Sequence, residues 1–166
     1  MAGLGLAAVL AAGCGTAPKA VDAQPTPHRA QGTAPATTRH TQSNPVKDEM
    51  KIVIRLGDKR FGAVLDDSAA SRDLLRQLPV TVDMVDHGGV EKTGPLPSPL
   101  SLDGQPEGAD PDVGDVGYYA PGNDLVLYYG DQSYFAGIVV LGRLDDDAAR
   151  QIREHDGPVT VTVEAG

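Results

Sequence analysis

The hydrophobic pattern changes abruptly at Met50. From there Ile52, Ile54 and Leu56 alternate with Lys51, Val53 and Arg55, the two-residue period of a half-buried strand. Gly57-Asp58 marks a turn, and Phe61, Ala63 and Leu65 repeat the alternation, so the two runs predict a hairpin. Asp66-Asp67-Ser68 offers N-cap oxygens to a helix bearing Ala70, Leu74 and Leu78, which Pro79 stops. Val80, Val82 and Met84 predict a third strand, and His87-Gly88-Gly89 a turn. Gly94 to Leu100 is extended and proline-rich, which places it at an edge or rim. An acidic loop spans Ser101 to Val113. Two short strands, Val116–Tyr119 and Leu125–Tyr129, flank a turn at Pro121-Gly122-Asn123. The apolar run from Ile138 to Leu144, broken only by Gly142 and Arg143, predicts a strand buried on both faces or one on a closed sheet. Asp145-Asp146-Asp147 caps a second short helix reaching His155, Gly157 ends it, and Val159, Val161 and Val163 form the last strand. Many short strands and two helices are best buried as a barrel with helices closing its ends, which leaves no free edges.

Before Met50 the pattern is different. Gly15 to Glu49 holds five prolines, no aromatic residue and no apolar period, the composition of a disordered linker. His28 and His40 lie in it without the clustering a metal needs. Leu4 to Gly13 is an apolar run of signal-peptide length, too short to span a bilayer. The single cysteine follows it at once, and Leu10-Ala-Ala-Gly-Cys14 resembles the lipobox of bacterial lipoproteins, in which the cysteine is acylated and becomes the new N-terminus. The expected organisation is a signal peptide over 1–13, a lipid-anchored linker over 14–49 and a folded domain over 50–166. The domain would then be held at the extracytoplasmic face of a bacterial membrane.

Charge narrows the partners. The folded part carries 20 acidic against 10 basic side chains, which repels phosphate backbones and argues against nucleic acid. Without tryptophan and with two phenylalanines, the core must be built from Val, Leu, Ile and Ala.

Aromatic residues concentrate in one place. Gly114 to Gly130 holds four of the five tyrosines, as the pairs Tyr118-Tyr119 and Tyr128-Tyr129. Strand alternation sends one ring of each pair inward and the other outward. The outward rings, with Pro121, Asn123, Tyr134 and Phe135, form a candidate groove for a peptide or small ligand. The ligand-binding candidates are therefore Tyr118, Tyr119, Pro121, Asn123 and Tyr134.

Lys51-Ile-Val-Ile, the helix Ser68 to Leu75 with Leu78-Pro79, Gly114-Asp-Val-Gly-Tyr-Tyr-Ala-Pro121 through Leu127-Tyr-Tyr129, and Gly137 to Arg143 together resemble a cyclophilin-like family of small bacterial proteins. The resemblance implies a mostly β fold: a closed eight-stranded antiparallel barrel with two capping helices. It does not imply prolyl isomerisation. True cyclophilins place an arginine beside a phenylalanine and a glutamine before a Gly-Gly pair, and neither arrangement occurs here. A shared fold without the site is weak ground for a shared reaction. The chain reads as a non-catalytic binding module with no catalytic residues and no cofactor. The alternative, a divergent isomerase of exported proteins, needs Arg60, Arg72 or Arg143 to converge on the tyrosine groove.

Other chemistry is poorly supported. Ser133, His87 and His155 lack a nucleophile turn. Asp110, Asp112 and Asp115 lack the spacing and closing glutamate of a calcium loop. Gly88-Gly89 is too short to cradle phosphate, and His87 reads as an exposed turn residue.

Overall fold

A computed structural model describes residues 50–145 and 147–166. The signal-peptide, linker and Cys14 assignments all lie outside the described residues. Ten strands and two helices follow in the order β1 (Met50–Leu56), β2 (Lys59–Leu65), α1 (Ala69–Gln77), β3 (Val80–His87), β4 (Glu91–Pro95), β5 (Gly108–Ala109), β6 (Asp115–Tyr119), β7 (Asp124–Tyr128), β8 (Phe135–Ala136), β9 (Ile138–Leu144), α2 (Ala148–Arg153) and β10 (Val159–Ala165). Eight of them close an antiparallel barrel in the order β1-β10-β3-β4-β7-β6-β9-β2. The expected barrel is therefore present, with two helices.

Alternation sorts the side chains. Ile52, Ile54, Leu56, Phe61, Ala63, Leu65, Val82, Met84, Leu127, Leu141, Val161 and Val163 are buried together inside the barrel. Each of the larger side chains among them contributes about 1.5–3 kcal/mol on leaving water. Ala70 and Leu74 of α1 and Ala148 and Ile152 of α2 join the same cluster, so both helices cover the core. Ser68 is the N-cap of α1, its hydroxyl accepting from the Ser71 amide at 3.0 Å. The flanking aspartates do not fill that role. At α2 the cap residue Asp147 is already helical in its backbone and makes no side-chain cap bond.

The proline-rich stretch divides in two. Glu91–Pro95 is hydrogen-bonded to β3 on one side and β7 on the other, so it is a central strand of the barrel rather than a rim. Pro95 stands at the strand's last position, where a missing N–H costs least. The acidic loop also contains structure: β5 pairs with β8 as a separate two-stranded sheet. A second apolar cluster of Val126, Tyr128 and Ile138, with Ala109 and Tyr119 packed on it, lies beneath this small sheet on the outside of the barrel wall.

Candidate functional site

The outer wall of β3, β4, β7, β6 and β9 presents side chains in cross-strand rows. His87 of β3 stands opposite Glu91 of β4, and Glu91 opposite Tyr128 of β7. Two residues along, Thr93 faces Val126, and beyond that Asp124 of β7 faces Tyr119 of β6, which faces Ile138 of β9. Register thus assembles three rows from five strands. The β7–β9 connection brings Gln132 and Phe135 over them. The half-open cavity on this wall measures about 270 Å³ and is lined by His87, Glu91, Thr93, Tyr119, Asp124, Tyr128, Gln132, Phe135 and Ile138.

Three aromatic rings form its apolar walls. The Tyr119 and Phe135 ring centres are 6.0 Å apart and the planes are tilted by 57°. Tyr128 is almost fully buried. Its ring crosses Gly117, where a Cβ would come within 2.7 Å of the Tyr128 ring. The glycine of the Gly-Asp-Val-Gly-Tyr-Tyr motif is therefore the space into which the cavity's floor fits. Gly117→Ala is expected to push the ring outward, lower stability by about 1–2 kcal/mol and reduce the cavity, as thermal unfolding and the Tyr128 ring shifts in NMR spectra would register.

The polar groups are acidic. Glu91 is only 8% exposed, yet its carboxyl makes no hydrogen bond or ion pair among the described residues. No side-chain oxygen in the described structure is sealed from solvent without a partner, so the Glu91 carboxyl opens onto the cavity. Burial pushes its pKa up; the nearby His87 opposes this and Asp124 adds to it. Burial raises Asp124 as well. The Tyr128 hydroxyl is held well above its ordinary value by burial, then by the charges of Glu91 and Asp115.

A carboxyl whose folded pKa is raised keeps its proton above the pH at which the unfolded chain loses it. Its favourable contribution is complete below about pH 4, the unfolded glutamate range, and is lost as pH rises through the folded value. Glu91→Gln, which does not titrate, should therefore unfold at a higher temperature than the parent at pH 7, with the advantage disappearing near pH 4. Thermal melts across that range test this.

Of the residues expected from sequence to meet a ligand, Tyr119 lines the cavity. Tyr118 is buried in the barrel interior, and its hydroxyl donates to Asn123 Oδ1 at 3.1 Å and accepts from the Leu100 amide at 3.2 Å. Asn123 adopts a left-handed backbone (φ 58°), and its Nδ2 donates to the Leu96 carbonyl at 2.7 Å. Pro121 is exposed and packs over Gly137, where a Cβ would meet its ring at 2.7 Å. Tyr134 is 59% exposed, with its hydroxyl over Gly108. Neither Pro121 nor Tyr134 lines the cavity. Glu91, Asp124, Thr93 and Gln132 do, and nothing in the sequence singles them out. His87, expected as a turn residue, ends β3 and faces the cavity mouth.

The three arginines of interest are elsewhere. Arg72 pairs with Asp67, and Arg143 with Asp115 at 2.7 Å and with the Val113 carbonyl at 3.1 Å. Arg60 is exposed on β2, opposite Arg55. None lines the cavity. The Asp110–Asp115 segment does not gather into an ion-binding cluster, because the Asp115 carboxylate is occupied by Arg143 and by the Asp112 amide at 2.9 Å.

A family model described as the cyclophilin-like family matches residues 54–164. The chain belongs to the cyclophilin-like family. The match runs from the middle of β1 to β10 and so covers all eight barrel strands. The solution structure of a hypothetical protein from Archaeoglobus fulgidus has the same fold, with a TM-score of 0.53, 19% identity, and coverage of 71% of this chain and 95% of that one. At that identity the likeness speaks for the fold alone. No curated protein matches the chain significantly. The Gly114–Tyr129 segment has a physical explanation. Gly114 takes a left-handed φ of 95°, Asp115 anchors Arg143, Gly117 makes room for Tyr128, and Tyr118 holds Asn123.

Proposed function

We propose that this cyclophilin-like domain is a non-catalytic ligand-binding module and that the cavity on its outer wall is the binding site. One observation carries this reading. A nine-tenths-buried carboxyl with no hydrogen bond or ion pair among the described residues opens into an aromatic-walled cavity. Such a group costs stability unless something binds it, and perturbed carboxyls in clefts mark functional sites. The volume, about 270 Å³, suits a small molecule or one or two side chains of a peptide, not a large cofactor.

The alternative is a divergent prolyl isomerase. It finds less support, because catalysis of that kind draws on a cationic donor beside the proline amide and no arginine or lysine lines the cavity. The proposed setting is extracytoplasmic. Acylation of Cys14 would anchor the chain to a bacterial membrane, the segment 14–49 would serve as its tether, and nucleic acid is not expected as a ligand.

The test is an NMR titration of the isotopically labelled protein with a fragment library, joined to a prolyl-exchange assay on a standard peptide. Shifts should gather at Thr93, Tyr119 and Asp124, and the exchange rate should stay at its uncatalysed value. Shifts confined to the Tyr134 and Pro121 surface, or accelerated exchange, would refute the reading. Mass spectrometry of membrane-extracted protein should find an acylated Cys14 at the N-terminus; a soluble product beginning elsewhere would remove the anchor.

A further inference from the structure

The cavity's chemistry narrows its occupant. We infer that it takes an ammonium or guanidinium group carried on a short alkyl chain, with Glu91 as the counter-ion. The inference rests on the reading of this cavity as a ligand site.

The lining decides the sign of charge. Glu91 and Asp124 supply two carboxyls, and Tyr128, Thr93 and Gln132 supply further acceptor oxygens. No lysine or arginine lines the cavity. An anionic ligand would approach two carboxyls with only His87, at the exposed mouth, to meet it. A neutral apolar ligand would expel water from Glu91 and give its carboxyl nothing in return. A cation satisfies it. Tyr119, Tyr128 and Phe135 line the same space, and a cation within about 6 Å of an aromatic ring face gains further attraction that is largest where water is excluded. The aliphatic part of the ligand has Ile138 and the rings to lie against. The net negative charge of the folded domain also draws cations toward the wall before contact.

A lysine or arginine side chain of a peptide and a free alkyl amine share this chemistry, and the two sources can be told apart. The full-length protein is titrated, with amide shifts of Thr93, Tyr119 and Asp124 as the readout, against pentylamine, agmatine and Nα-acetyl-lysine N-methylamide. Nα-acetyl-norleucine N-methylamide and pentanoate are the neutral and anionic isosteres. The cationic probes should bind in the cavity, with the isosteres weaker by about tenfold or more. Tighter binding of the lysine amide than of pentylamine assigns the site to a basic peptide side chain, and the reverse order assigns it to a free amine. Either order supports the inference. Glu91→Gln should weaken the amines about tenfold and leave norleucine amide unchanged. Norleucine amide or pentanoate binding as well as the amines, or amines indifferent to Glu91→Gln, would overturn the inference while leaving the cavity as a ligand site. If probes of every charge leave the cavity shifts untouched, the ligand-site reading falls with it.

Discussion

Asp86→Ala should destabilise the fold by about 3 kcal/mol, more than any change on the barrel's outer wall, because it strands a buried cation. Lys92 alternates with Glu91 on β4 and so points the other way, into the barrel, where its side chain is fully buried. Its ammonium donates to the carbonyls of His155 at 2.7 Å and Gly157 at 2.9 Å, just beyond α2, and meets Asp86 Oδ1 at 2.7 Å. These three acceptors use all its protons. Asp86 is itself crowded with donors: Tyr129 Oη at 2.9 Å on Oδ1 and the Gly157 amide at 3.0 Å on Oδ2. Burial pushes the Asp86 pKa up, but the hydrogen bonds from Lys92 and Tyr129, the Lys92 charge and the Gly157 amide outweigh it and hold the carboxyl below its usual range. Tyr129 is raised to about 12 by burial and by its bond to Asp86. A carboxylate with a lowered folded pKa contributes stability that is present above its unfolded value and is lost as pH falls through the folded one. Asp86 should therefore add an acid limb to the stability profile below about pH 4, absent in Asp86→Ala.

The partner exchange gives a sharper check. Lys92→Met keeps an aliphatic stem in the barrel and removes the charge, leaving Asp86 with Tyr129, Gly157 and solvent, so it should cost about 1–2 kcal/mol. In the double variant the stranded cation is gone, and the loss should be smaller than the two single losses added together. Denaturant unfolding of the four proteins measures this. Equal and additive losses would mean that Lys92 is held by the two carbonyls alone.

Asn123→Ala should cost about 2–3 kcal/mol and leave ligand affinity unchanged. Two losses combine. Its side chain donates to the Leu96 carbonyl and accepts from the buried Tyr118 hydroxyl, tying the β6–β7 turn to the segment that follows β4. Its φ of 58° is one that asparagine tolerates and alanine resists. Asn123→Gly, which removes the side chain but accepts the backbone, should recover the conformational part only. Chemical denaturation of the pair separates the terms. A loss of fragment binding in Asn123→Ala without loss of stability would return Asn123 to the ligand site.

The barrel was legible from sequence because its inward positions repeat with period two in β1, β2, β3 and β10, where buried apolar residues alternate with more exposed ones. The cavity was not. Its rows run across strands, and which residue stands opposite which depends on register, as in His87–Glu91–Tyr128. β4 hides most completely. Glu91 and Lys92 are charged on both faces of the strand, so no apolar period marks it, and the nearby prolines point away from a central strand. Aromatic density did point to the wall that carries the cavity, since Tyr119 and Tyr128 both line it. It could not separate them from Tyr118, whose ring is used inside the barrel. β5 and β8, at two residues each, are too short to leave a pattern.

The first strand closes on the last: β1 pairs with β10 from Ile52↔Ala165 to Leu56↔Val161, and Arg55 meets Glu164 across 109 residues of sequence. Until the seven-residue β10 pairs, β1 and β3 therefore both have open edges. Loop closure over such a span is slow to recover its entropy, so the domain stays unsealed until β10 has joined it. The same seam makes the C-terminal strand the place where a premature stop would leave two sticky edges exposed to neighbouring chains.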